Sequence, residues 1–136
     1  MNHLSRLLIL FTIVAGSMSL GAQTVTDEEC MKFHNGTFVD GSLSYVTIVR
    51  DSSTQIQTET NTLNGKTSTY SIKWLNACTY ELDLIKTNDK QERKASKAMG
   101  ILRVQITSFD EDGYSYIATA PGMEGPFRGT VKWKKN

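Results

Sequence analysis

Histidine and cysteine are scarce in this chain. Of its 136 residues two are cysteine and two histidine, and His3 lies in an N-terminal stretch that reads as a leader. Two sulfurs and His34, whose neighbours suggest a surface position, leave a zinc site one ligand short, with no second Cys-x-x-Cys or His pair to complete it. Neither Cys30 nor Cys78 sits in a redox Cys-x-x-Cys. Gly-x-Ser-x-Gly, Ser-x-x-Lys and His-Glu-x-x-His are missing, and the glycines at 36, 41, 122 and 125 build no phosphate loop. The sequence therefore offers no catalytic constellation, no metal ligands and no cofactor motif, and an enzyme is not expected.

Surplus charge is lacking as well. Removal of residues 1–22 takes Arg6 and no acidic residue, which turns 15 basic against 14 acidic side chains into parity. Generic affinity for nucleic acid or for an anionic membrane rests on excess positive charge, so neither partner is expected. Long apolar runs are missing too. The strongest, Leu7–Val14, is followed by Ala15, Gly16 and Ser17, far short of the roughly 20 residues that a spanning helix needs. No stable membrane insertion is expected.

That same run has a clear alternative use. A basic start at Arg6, an apolar core and small residues up to Ala22 make the three parts of a cleavable export signal, with cleavage after Gly21 or Ala22. Residues 1–22 are thus expected to be a signal peptide and residues 23–136 a single domain, periplasmic or extracellular. In an oxidising compartment two cysteines allow one intramolecular connection. Cys30 and Cys78 are expected to form a disulfide.

The remaining pattern is β throughout. Apolar and polar residues alternate with period two in short segments bounded by turn residues, the mark of antiparallel strands. Leu43–Arg50, Gln55–Thr60, Thr67–Trp74, Cys78–Lys86, Ile101–Phe109, Tyr114–Ala120 and Phe127–Trp133 read as strands, with a short one near Gly36–Val39. Asn64-Gly65 reads as a tight hairpin turn, because both residues tolerate positive φ. Asp110-Glu111-Asp112-Gly113 reads as another turn. It resembles a fragment of a calcium loop but lacks the bidentate glutamate that such a loop requires. Thr87–Gly100, rich in Lys and Arg, reads as a long polar connection with one helical turn.

About eight short strands with brief connections form an all-β, up-and-down antiparallel meander. A meander with one apolar face buries it by closing into a small barrel or folding into a sandwich, and closure removes the exposed edges. Closure is the expected outcome, with Phe127–Trp133 pairing with the first strand. A short N-terminal helical turn precedes the barrel.

Two sets of residues carry a resemblance. The segment Cys30-Met-Lys-Phe-His-Asn-Gly36-Thr-Phe38 looks like the start of lipocalin-like (calycin-like) barrels, where Gly-x-Trp occupies the first strand and Phe38 here stands for the tryptophan. The mature chain, centred on Ile72-Lys-Trp74-Leu-Asn-Ala-Cys78-Thr-Tyr80-Glu-Leu82, is similar to small exported proteins of Bacteroidota whose function is generally unassigned. The resemblance implies a lipocalin-like barrel; the chain is expected to be a monomer that binds a small hydrophobic ligand or an envelope component, the alternative being a non-catalytic structural or interaction module with a fully packed interior.

Tyr70, Trp74, Tyr80 and Tyr116 are the candidate ligand-binding aromatics, and Arg50 is the candidate partner for a carboxylate. The same alternating aromatics are also what a filled barrel core requires, and a barrel of eight strands has room either for packed side chains or for one small ligand. Arg103 shares its face with Ile101, Gln105 and Thr107 and is expected to face solvent. The disulfide, joining the lead-in turn to the strand after Trp74, is expected to pin the N-terminal segment across one end of the barrel. The opposite rim is then the place to look for binding.

Overall fold

A computed structural model describes residues 23–136. The expected leader, residues 1–22, lies outside the described residues. In chain order the elements are β1 (Gln23–Thr24), α1 (Asp27–Met31), β2 (Gly36–Asp40), β3 (Val46–Asp51), β4 (Ile56–Asn61) and β5 (Thr67–Asn76). They continue with β6 (Thr79–Thr87), α2 (Lys90–Met99), β7 (Leu102–Asp110), β8 (Gly113–Thr119) and β9 (Phe127–Trp133).

Strands β2 to β9 each pair antiparallel with the next, and β9 returns to β2 through Phe38↔Trp133, Val39↔Lys132 and Asp40↔Val131. The meander closes as an eight-stranded up-and-down barrel, and the sandwich is excluded. Closure follows from the alternation. Phe38, Ile48, Ile72, Tyr80, Leu82, Val104, Ile106, Tyr114, Ala118 and Val131 all turn inward and are buried, so every barrel strand except the polar β4 contributes one apolar face to a shared interior. Arg103 faces out, its Nη2 3.0 Å from Glu81 Oε2.

The two ends of the barrel differ. At one end α1 starts on Thr26, whose hydroxyl accepts the Glu29 N–H at 3.2 Å. Cys30 on α1 is bonded to Cys78 at the head of β6, with 5.1 Å between the Cα atoms. The chain then drops Phe33 into the barrel mouth, where its ring lies 4.8 Å from Tyr114 and 5.5 Å from Trp133. Gly36 makes the re-entry into β2 feasible. Its φ is +134°, and a Cβ there would stand 2.9 Å from the Trp133 ring. This end is plugged, as the disulfide spacing led us to expect.

At the other end the wall is incomplete. Strand β6 pairs with β7 only over Thr79–Leu82 and Leu102–Gln105, and past Leu82 it diverges. Helix α2 occupies the gap. Asp89 caps it, accepting the Gln91 N–H at 3.0 Å, and Gly100 ends it at φ +82°. Ten residues of good helix formers thus replace the polar connection with one turn that the sequence pattern suggested. The misreading has a physical cause: the face that α2 lays on the barrel, Glu92, Ala95, Ser96 and Met99, is spaced as a helix but only half-buried and half polar, so its stripe is short of apolar residues. At the plugged end, β1 takes up the part of β7 that β6 leaves unpaired, through Ser108 and Phe109.

Two turns also deserve their observed form. Asn64-Gly65 lies within a longer loop that is closed by the Asn61 N–H to Lys66 C=O bond at 2.8 Å, rather than forming a two-residue hairpin. Asp110–Gly113 is a hairpin turn in which Asp110 Oδ1 accepts the N–H groups of Asp112 and Gly113.

Candidate functional site

The interior carries a line of polar side chains running between the two ends. It starts beneath the plug with Arg50, only 3% exposed. Its Nη1 donates to Phe33 C=O at 2.9 Å and its Nε to Gln57 Oε1 at 2.8 Å. Nη2 donates to the hydroxyls of Tyr80 (2.9 Å) and Tyr114. Those two hydroxyls also bond one another at 2.8 Å. The guanidinium carbon lies 4.7 Å from the Tyr80 ring centre and 5.0 Å from that of Phe38. Burial alone pulls an arginine pKa down, but Tyr114, Tyr80 and the more distant Glu59 outweigh it, and Arg50 stays charged with its pKa raised. Burial raises the Tyr80 pKa well above its ordinary value despite the neighbouring cation.

Gln57 relays this line upward. Its Oε1 accepts from Arg50 while its Nε2 donates to Glu59 Oε2 at 3.0 Å. Pairing across the β3–β4 hairpin sets the geometry. Arg50 stands opposite Gln57 and Ile48 opposite Glu59, so the inward pointing of Ile48 and Arg50 carries Gln57 and Glu59 inward with them. Desolvation raises the Glu59 pKa above its ordinary value. The Gln57 hydrogen bond and Arg50 work against this, while Glu92 and Asp40 add to it.

Glu59 opens into a cavity of about 210 Å³ at the unplugged end, lined by Tyr70, Leu82, Leu84, Leu102 and, from α2, Glu92 and Met99. The Tyr70 hydroxyl donates to Glu92 Oε1 at 2.7 Å, which ties α2 to the barrel wall. A register shift in the β5–β6 ladder between Thr69 and Tyr70 falls beside this tyrosine. Burial, and then the charges of Glu59 and Glu92, push its pKa far up. Lys66 Nζ, 3.5 Å from Asp89 Oδ2, makes a second tie to the start of the helix.

The candidate residues thus separate between the two ends. Tyr80 and Arg50 are fully committed to the plugged half. Trp74 belongs there too, its ring stacked on His34 with centroids 3.5 Å apart and tilted 4.6 Å from Tyr80. Among the described residues its Nε1 is the one buried side-chain nitrogen or oxygen without a partner. His34, read from the sequence as a surface residue, instead donates from Nε2 to Ala77 C=O at 2.8 Å, and burial lowers its pKa. Tyr70 alone of the five lines the cavity. Tyr116 packs over Gly129, where a side chain on the neighbouring strand would collide with the phenol. Burial and then Asp40 push its pKa up to about 12.

Comparison with protein-family models, with curated proteins and with solved structures finds no match. The site is therefore read from its own chemistry. Among the described residues no group of three His, Cys, Asp or Glu side chains is placed to hold a metal ion, and no helix is long and apolar enough to cross a membrane. Gln57, Glu59, Glu92 and Met99 were not among the sequence candidates. The signal for the first two lay in the hairpin register with Ile48 and Arg50. Nothing local marked the α2 pair.

Proposed function

We propose that this chain is an exported, non-catalytic, monomeric, lipocalin-like binding protein that holds a small, largely apolar molecule at the α2 end of its barrel. The observation that carries the reading is the cavity of about 210 Å³, walled by Leu82, Leu84, Leu102 and Met99 with a few convergent polar groups. It lies at the end opposite the disulfide and is covered by a helix whose inner face is only half-buried. Export is supported by the Cys30–Cys78 bond together with the leader pattern in residues 1–22.

The rival reading, a structural module with a filled interior, fits the plugged half alone. There Phe33, Phe38, Tyr80 and Tyr114 pack around the Arg50 guanidinium and against one another. Arg50 itself does not serve as a carboxylate anchor in this reading, because four of its five N–H donors are taken by Phe33, Gln57, Tyr80 and Tyr114 and it is buried away from the cavity.

Native mass spectrometry of freshly purified, oxidised protein, followed by organic extraction, tests for a carried molecule. Methyl NMR during titration with hexan-1-ol tests the empty site. The expected result is a mass increment, or shifts concentrated on the Leu82, Leu84, Leu102 and Met99 methyls. Neither increment nor shifts would remove the reading.

A further inference from the structure

We infer that the occupant of this cavity is a small primary amine with a short apolar body, its ammonium held by Glu59, Glu92 and Tyr70. The inference rests on the proposal above that the cavity takes a ligand.

The polar lining is one-sided. Glu59, Tyr70, Glu92 and Ser96 contribute all the side-chain polar atoms, and no lysine or arginine lines the space. The cation below it, Arg50, is separated by Gln57 and occupied with its own partners. Glu59 takes one hydrogen bond, from Gln57 to Oε2, and keeps Oε1 for a further donor. Glu92 takes the Tyr70 hydroxyl on Oε1 and keeps Oε2. Because that hydroxyl has given its hydrogen to Glu92, the Tyr70 oxygen is left as an acceptor. The lining thus offers three acceptors, two of them on carboxylates, against one neutral donor, the Ser96 hydroxyl.

An ammonium presents three donors and no acceptor, so it matches this lining. A carboxylate or phosphate would meet two like charges. A neutral alcohol brings one donor and leaves both glutamates uncompensated. The remaining surface, Leu82, Leu84, Leu102 and Met99, asks for an aliphatic or compact aromatic body. At about 30 Å³ per water-sized group, the space takes on the order of seven non-hydrogen atoms. Hexylamine has that size and is the natural probe.

Titration of the oxidised protein with hexylamine, hexan-1-ol and hexanoate at pH 8, followed by methyl NMR and calorimetry, separates the terms. Hexylamine is expected to bind about tenfold or more tightly than hexan-1-ol, the worth of a charge-assisted hydrogen bond, and hexanoate not at all. Glu59→Gln and Glu92→Gln should each remove most of that preference and leave hexan-1-ol binding intact. Glu92 sits on a helix without buried residues, so its variant keeps the test valid should Glu59→Gln disturb the barrel. Hexan-1-ol binding as tightly as hexylamine, or a preference untouched by both variants, would overturn the amine assignment while leaving the cavity a binding site. Binding of none of the three would remove both.

Discussion

Replacing Arg50 with methionine tests whether the buried guanidinium holds the plugged end together. The substitution removes four donated hydrogen bonds at once. Tyr80 and Tyr114 keep their mutual bond at 2.8 Å and lose little. Phe33 C=O and Gln57 Oε1 are left in the interior without donors, at about 1–3 kcal/mol each. Against this, the folded state no longer bears the desolvation of a guanidinium, a penalty of several kcal/mol in isolation, and the methionine recovers much of the buried stem. The two orphaned acceptors together cost about 2–6 kcal/mol, and the relieved desolvation brings the net loss to the low end, about 2 kcal/mol, or roughly 8 °C in Tm for a domain of this size. Urea and thermal unfolding of the oxidised protein, followed by tryptophan fluorescence, measure it. Near-UV signals of Trp74 and Trp133 should change most, since both rings sit at the plug. A variant as stable as the parent, with unchanged near-UV spectra, would refute the reasoning: the hydrogen bonds would then only offset the desolvation of the charge they surround.

Three further outcomes follow from the same geometry. Cys30→Ala with Cys78→Ala opens a link spanning 48 residues, and chain entropy sets the loss at about 4 kcal/mol or less; equal stability of the oxidised parent and the double variant in urea would contradict it. Glu59→Gln keeps an acceptor for Gln57 and removes an ionisable group whose folded pKa lies above 4.5. A carboxyl with a raised folded pKa lowers stability as pH climbs from its unfolded value through its folded one. The variant should therefore gain on the parent in that window and stay ahead at neutral pH, which unfolding at a series of pH values checks; a gain that grows toward acid would have the wrong sign. Gly36→Ala forces a side chain into φ +134° with its Cβ against Trp133, for a loss of about 1–3 kcal/mol visible as a lower Tm; an unchanged Tm would mean that the plug yields there.

The barrel was legible because period-two alternation is a direct readout of a sheet with one wet face, and Ile72–Trp74 or Tyr80–Leu82 show it without interruption. The disulfide was legible from arithmetic on two cysteines. The site was less so. Strand β4 reads Ile-Gln-Thr-Glu-Thr-Asn, polar on both faces, so its own pattern cannot say that Gln57 and Glu59 turn inward. Only their pairing with Arg50 and Ile48 decides it. Helix α2 escaped for another reason: its sequence favours helix through propensity and capping, while the stripe it turns to the barrel, Glu92, Ala95, Ser96 and Met99, is half polar and only half-buried and so lacks the apolar run by which helices are usually found. His34 was misplaced because a lone imidazole in a polar stretch carries no sign of the Trp74 ring beneath it.

Arg50 and Glu59 stand on one polar line, yet their environments differ in a way that separates architecture from function. Arg50 is surrounded by partners drawn from the plug, β4, β6 and β8, so its charge is spent in joining elements distant in sequence. Glu59 has one partner and faces the cavity, and desolvation pushes its pKa up with little to hold it down. A half-buried carboxylate held by a single hydrogen bond, with its pKa raised, weakens the fold at neutral pH. Glutamine at that position would keep the bond to Gln57 without the penalty, and leucine would extend the wall formed by Leu82 and Leu102. Local rules that a fold breaks at its own expense are concentrated at functional sites, and Glu59 breaks one where Arg50 does not. Among the described residues no lysine or arginine reaches the cavity side of Glu59, which is why the proposed ligand is a cation.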